Sequence, residues 1–393
     1  MSERPLRIAL LTHSVNPRGG VVHTLELATA LHEAGHAVTV LAPAAPGQRL
    51  FRMPPCAVDL VPVHGTPRDT VEMVRSRIAA FVQHLRGLLR HRKFDVLHTH
   101  DSIGGNALAQ LREAGDIAGF VRTVHHLDTF DVPQLTQWQH TAFASASQVL
   151  CVSRLWCEHL AREYAIEAHE VTNGVDTTRF SPNAHPTDEL LARRLGIRPG
   201  APIVLALGGI EERKNTTRLL SAFALLRTTY PQAQLVIAGG ASLLDHSAYA
   251  LDFRARMQTL ALDEGPLQAV RLTGPLPDED IPSLYRLADV VAMPSLREGF
   301  GLVVLEGLAS GVPVVASRIA PFTEYLAEGD VSWADPADAA SIANALRHAL
   351  STRDPQRIAR SASRLAKRFS WQASADRHVS LYRAAMQETE PCP

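Results

Sequence analysis

Short apolar runs alternate with stretches of helical periodicity along most of this chain, the pattern of parallel strands buried on both faces and joined by helices. In the first half, residues 7–12, 38–43, 57–63, 95–100, 120–124 and 148–153 read as strands. Residues 21–34 read as an amphipathic helix that Gly35 ends. A second helix is predicted over 71–89, and residues 171–176 form a turn that closes this half. Proline and polar residues dominate 181–202 around one short helical piece, 188–195, and this stretch reads as a domain linker.

The alternation then restarts. Strands are predicted over 203–207, 235–238, 269–272, 288–293 and 312–316, with helices over 216–230, near 252–262 and over 280–288. The tail is helical over 336–350, 355–368 and 371–386. Two successive series of this kind predict an α/β protein of two Rossmann-like, doubly wound domains facing each other across a cleft. The expected division is 1–182 and 183–370.

Composition fits a soluble globular protein and changes little else. At 393 residues the chain is too long for one ordinary core, so two domains of about 150 to 200 residues are expected. A net charge of -1 leaves no basic footprint for nucleic acid. Cys56, Cys151, Cys157 and Cys392 show neither Cys-x-x-Cys pairing nor metal-site spacing, which reads as reduced thiols in a cytosol. The first apolar run is a strand and not a signal peptide, and no apolar stretch is long enough to span a bilayer. Arginines and one lysine crowd the polar side of the helix within 71–93; that face is either a solvated outer surface or a peripheral contact with anionic lipid at the inner membrane face.

Candidate chemistry gathers after the strands. Between the last two runs lies Pro294-Ser295-Leu296-Arg297-Glu298-Gly299-Phe300-Gly301-Leu302, opening a helix that contains Glu306. Gly299 and Gly301 remove side chains where a ligand could approach the backbone, and free N–H groups at a helix start suit an anion. Two carboxylates flanking such a hole fit a ligand that carries both hydroxyls and phosphates. Gly208-Gly209-Ile210-Glu211-Glu212-Arg213-Lys214-Asn215 follows another strand, and its adjacent cations could neutralise a diphosphate. In the first half, Gly19-Gly20 precedes a helix, and His125-His126-Leu127-Asp128 is delivered to the same sheet edge. His98 and His100 share a strand face, but no third ligand stands at a recognisable spacing, so no metal is expected.

Taken together these motifs resemble the retaining, nucleotide-sugar-dependent glycosyltransferases of family 4, which have the GT-B fold. The resemblance rests on Gly19-Gly20, Gly35-His36-Ala37-Val38-Thr39-Val40, Asp95-Val96-Leu97-His98, Asn173-Gly174-Val175-Asp176 with Phe180, Arg213-Lys214-Asn215, and Glu298 separated from Glu306 by seven residues. It covers nearly the whole chain. It implies a cytoplasmic, metal-independent hexosyltransferase without cofactor, moving sugar from a nucleoside-diphosphate sugar to an unidentified acceptor hydroxyl with retention. The acceptor would meet loops near 43–55 and 128–139 of the N-terminal domain, and the helix within 371–393 would cross back onto that domain. Glu298, His125 and Lys214 are the implied catalytic residues. Gly19, Gly20, Arg213, Lys214, Phe300, Gly301, Leu302 and Glu306 are the implied donor-binding ones, with Glu306 on the ribose. Many relatives carry an arginine where this chain has Gly209, a charge that Arg213 would replace; a starch-synthase lysine motif is absent before Gly19. The alternatives are a nucleotide-sugar epimerase or phosphorylase of the same fold, or a non-catalytic nucleotide-sugar sensor.

Overall fold

Residues 4–240 and 246–389 are described by a computed structural model, with side chains through residue 387; Cys392 lies outside the described residues. The first series of elements is β1 (Arg7–Leu11), α1 (Gly19–Glu33), β2 (Ala37–Ala44), β3 (Ala57–Pro62), α2 (Thr70–Leu89), β4 (Val96–Thr99), α3 (Ser102–Glu113), β5 (Val121–Val124), α4 (Pro133–Ala144), β6 (Gln148–Cys151), α5 (Arg154–Tyr164) and β7 (His169–Glu170). All pairings in this sheet are parallel, in the order β3-β2-β1-β4-β5-β6-β7.

The second series is α6 (Thr187–Leu195), β8 (Ile203–Leu207), α7 (Thr216–Arg227), β9 (Gln234–Ala238), α8 (Ser247–Thr259), β10 (Val270–Gly274), α9 (Ile281–Arg286), β11 (Val290–Met293), α10 (Leu302–Ala309), β12 (Val314–Ser317), α11 (Phe322–Tyr325), β13 (Ser332–Ala334), α12 (Ala339–Ser351) and α13 (Pro355–Arg368). Its parallel sheet runs β10-β9-β8-β11-β12-β13. The last helix, α14 (Trp371–Thr389), belongs with the first sheet.

The chain divides into unit 1, Met1–Gly174 with Ser370–Pro393, and unit 2, Val175–Phe369. The first boundary therefore falls after Gly174, where residue 182 was expected. The physical reason is local: Val175 N–H donates to Phe369 O at 2.9 Å, whereas a Cβ on Gly174 would lie 2.3 Å from Trp371 N. Nor is 181–202 a linker. Helix α6 sits inside unit 2, where Arg286 on α9 makes two hydrogen bonds to Asp188 at 2.8 and 2.9 Å.

Burial on both faces explains the apolar runs: the central strands β1, β4, β5, β11 and β12 are buried almost throughout. Helix α2 lays Val74, Ile78, Phe81, Val82 and Leu85 on the unit 1 core. Burying such a side chain contributes about 1.5–3 kcal/mol, so the stripe is accounted for by packing. Several cations of α2 and the turn after it have partners within the fold: Arg77 donates to His13 O, Arg86 to Asp116 and, past the helix end, Arg92 to Thr39. Among the described residues no helix is long and apolar enough to cross a membrane.

Candidate active site

In unit 2 the strand order reverses between β8 and β11, so the loops leaving their carboxyl ends are neighbours. Gly208 and Gly209 open the first loop with φ of 119° and 76°. A Cβ on Gly208 would stand 2.8 Å from Lys214 Cε; its absence lets the lysine stem lie across the turn. A Cβ on Gly209 would stand 2.8 Å from Gly240 O, and one on Gly239 would stand 2.8 Å from Gly209 N. The two glycine pairs thus meet backbone to backbone. Any side chain at position 209 would therefore meet backbone, and the cations of this loop stand further along it, at Arg213 and Lys214.

Asn215 fixes the other end of the loop. It is buried with φ 59° and caps the start of α7, while its amide nitrogen donates to Pro294 O at 2.9 Å and Pro336 O at 2.8 Å. Leu296 N–H donates to Arg213 O at 2.9 Å. These bonds tie the loop after β8 to the loop after β11 and bring their charges together.

Glu298 is the meeting point. Its Oε1 accepts from Lys214 Nζ at 2.6 Å, Arg213 Nη1 at 3.0 Å and Ser295 Oγ at 3.0 Å. Burial alone would raise its pKa, but the charges of Lys214 and Arg213 and their hydrogen bonds outweigh burial and bring it down to about 2. Glu298 is therefore an anion at neutral pH. Burial also pulls the Lys214 pKa down, against the opposing pull of Glu298. An ammonium has three donors, so the bond to Glu298 leaves Lys214 others for a ligand.

Glu306 has a different partner. Its Oε2 accepts from Tyr285 Oη at 2.6 Å, and burial followed by that carboxylate pushes the tyrosine pKa well above its usual value. Helix α10 begins at Leu302 behind Gly301, whose φ is 94° and which, as a glycine, has no side chain with which to cap the first turn. A Cβ at Gly301 would lie 2.3 Å from Phe322 Cε1. Phe300 presents its carbonyl to Tyr325 Oη at 2.9 Å and stacks on that ring at 5.0 Å. First-turn amides, two cations and a fixed carboxylate thus occupy one sheet edge, an arrangement suited to a phosphate-bearing leaving group.

Unit 1 places a different set of groups at the matching edge. Gly19 and Gly20 are the first turn of α1 and not part of the loop before it. Nothing lies within 4 Å of a Cβ built on Gly19, whereas one on Gly20 would be 3.4 Å from His125 Cδ2. Around His125 the rings of His23 and His100 stand 4.7 and 5.6 Å away, and His23 and His100 are 5.0 Å apart. His98 packs on His100 at 4.2 Å, with its own nitrogens held by Tyr382 Oη at 2.6 Å and Thr123 Oγ1 at 2.8 Å.

These rings are held neutral. Burial first, and neighbouring histidines second, push His98, His100 and His125 well below their usual pKa. The same causes take His23 to about 3 despite its bond to Asn173. For His378, burial outweighs its bond to Ser374 O and brings it to about 4. The expected absence of a third ligand near His98 and His100 does not hold in space: His23, His100 and His125 each offer a nitrogen within 4.8 Å of the other two. Sequence spacing missed His23 and His378 because they lie on α1 and α14. The available signal was a histidine on an apolar helical stripe, as His23 is among Val21, Leu25 and Leu27. Ser295, Tyr285 and Tyr325 were missed as well, and only Ser295 lies inside a motif.

Comparisons with known proteins bear on the fold and the family. The family model described as "Glycosyltransferase Family 4" matches residues 17–179, and that described as "Glycosyl transferases group 1" matches 187–366. A D-inositol 3-phosphate glycosyltransferase from Corynebacterium urealyticum is 32% identical over 82% of this chain and 79% of its own length. Among solved structures, sucrose-phosphate synthase from Thermosynechococcus elongatus has a TM-score of 0.79 at 23% identity, covering 98% of this chain and all (100%) of its own. An Anabaena protein solved in complex with UDP-glucose has a TM-score of 0.75 at 18% identity, covering 96% of this chain and 100% of its own.

Proposed function

The chain belongs to the family 4 glycosyltransferases of GT-B fold, and we propose that it moves a sugar from a nucleoside-diphosphate sugar to a hydroxyl of a phosphorylated small acceptor, with retention. The observation that carries the donor half is Glu298, held by Lys214, Arg213 and Ser295 beside the first turn of α10. Lys214 and Arg213 bind the diphosphate, and the amides around Phe300, Gly301 and Leu302 receive its distal phosphate. Glu306 accepts from the ribose hydroxyls, oriented by Tyr285. Charge growing on the departing phosphate meets donors already in place, and losing one such donor costs about 100- to 1000-fold in rate. Transfer so arranged needs no metal.

Retention follows if the acceptor attacks on the face the phosphate leaves and gives its proton to that phosphate. Glu298 then orients the donor sugar and stabilises positive charge near the reacting carbon. Held as an anion by Lys214 and Arg213, it has no proton to give as a general acid near neutral pH. His125 and the Gly19-Gly20 turn of unit 1 are assigned to the sugar and acceptor side. The phosphorylated acceptor is supported by the name of the Corynebacterium relative.

The test is a donor screen by thermal shift followed by transfer assays with phosphorylated and unphosphorylated polyols, the product anomer being read by NMR. A donor at about 100 times its dissociation constant adds roughly 2.7 kcal/mol of stability. An inverted product, or sugar release with no transfer to any acceptor, overturns the reading.

A further inference from the structure

Three imidazoles meet at the carboxyl edge of the unit 1 sheet: His23 from α1, His100 after β4 and His125 after β5. Nε2 of His23, both ring nitrogens of His100 and Nε2 of His125 are buried with no hydrogen-bond partner among the described residues. An unpaired buried polar atom has given up its hydrogen bonds to water with nothing in exchange, so gathering several in one place is unfavourable unless a ligand uses them. His23 shows how they are aimed. Its Nδ1 lies 2.8 Å from Asn173 Oδ1, an acceptor, so Nδ1 carries the proton and Nε2 presents a lone pair. Metal-bound histidines are held in this way, with the outer nitrogen on an acceptor that fixes tautomer and ring orientation.

We propose that unit 1 holds a site for a divalent transition metal of the zinc class, with His23, His100 and His125 as ligands and the fourth position left to water or another small ligand. Nitrogen ligands without a carboxylate favour zinc, cobalt, nickel and copper over magnesium and calcium. Metal–nitrogen bonds of about 2.0–2.1 Å set tetrahedral nitrogens about 3.4 Å apart. The present separations, within 4.8 Å, close to that value by rotation of the rings and small movements of their backbones. Gly20 leaves space for this, since a Cβ there would be 3.7 Å from His125 Nε2. His98 is not a ligand because both of its nitrogens are engaged. Burial also keeps the three rings in the neutral form that a metal binds. The metal takes no part in transfer. If His125 serves the sugar and acceptor side as proposed above, occupancy withdraws it, and the site is inhibitory.

Chelator-stripped full-length protein is titrated with Co2+, followed by visible absorption, and then with Zn2+ by calorimetry. One equivalent of Co2+ should give the intense bands of four- or five-coordinate cobalt, and Zn2+ should displace it. X-ray absorption of the zinc-loaded wild type, which needs no variant, should show three imidazoles. His23→Ala and His125→Ala should each weaken binding at least tenfold, Asn173→Ala by about 10- to 100-fold, and His126→Ala should leave it unchanged; circular dichroism confirms that each variant is folded. Weak octahedral cobalt spectra, binding of several equivalents, or affinity that survives His23→Ala overturns the site. Chelator-reversible inhibition of transfer is expected on loading. Stoichiometric binding with unimpaired transfer would keep the metal site and remove His125 from the reaction.

Discussion

The two sheet edges solve the problem of buried polar groups in opposite ways. Unit 2 buries ions and pairs them: Glu298 is 6% exposed and is held by two cations and a hydroxyl. Unit 1 buries titratable rings and strips their charge, with His23 and His98 both at 0% exposure and far below their usual pKa. Paired ions keep a strong local field ready for a charged leaving group, whereas neutral imidazoles give contacts without field. The contrast teaches that a buried polar residue declares its role through its partners more than through its type.

The largest break in this contrast comes from removing the ions. Glu298→Gln, which keeps the shape and can still accept from Lys214, should lower kcat/KM by about 100-fold or more, as should Lys214→Ala, with the fold retained by circular dichroism. Near-normal turnover of either purified variant would remove the charge cluster from the reaction. Next is the backbone that aims α10. Gly301→Ala meets the Phe322 ring and a left-handed φ, and should cost about 1–3 kcal/mol of unfolding free energy together with donor binding. An unchanged melting temperature would show that the turn relaxes freely.

Tyr285→Phe removes one hydrogen bond to a carboxylate and should weaken donor binding by about tenfold while sparing kcat. An equal fall in kcat would move Glu306 from binding into chemistry. In unit 1, His98→Gln should act on stability, by about 1–2 kcal/mol, through loss of its bonds to Tyr382 and Thr123. The smallest effect is in the acid range. Glu298 has a folded pKa of about 2, below its value in the unfolded chain, so its stabilisation is present above the usual carboxylate range and is lost as pH falls toward 2. A stability–pH curve for Glu298→Gln should be flatter in that window alone; an unchanged slope would mean that Lys214 and Arg213 are not holding the charge.

Much of this was legible in the chain because strands buried on both faces must be apolar throughout. The central strands β1, β4, β5, β8, β11 and β12 stand where the apolar runs place them. Of the four edge strands, β3 and β10 were legible as well, but β7 has two residues and β13 three, too short for any period to show. The stretch before β8 read as a linker because the bond from Arg286 to Asp188 spans 98 positions. Likewise Glu298 and Lys214 were legible as motifs, but their 2.6 Å contact depends on the reversal of strand order between β8 and β11. The histidine cluster draws on residues from 23 to 378, and no local pattern could have assembled it.

Asn215 joins segments that are far apart in the chain. By holding Pro294 and Pro336 with the two hydrogens of one amide, it fastens three segments that would otherwise have to be ordered by the incoming donor. If this edge receives the phosphates as proposed, the entropy of assembling it is lost once, during folding, and not at every turnover. Nucleotide binding to unit 2 should accordingly carry a small entropic penalty, and Asn215→Ala should convert it into a large one while leaving every group that touches the nucleotide in place.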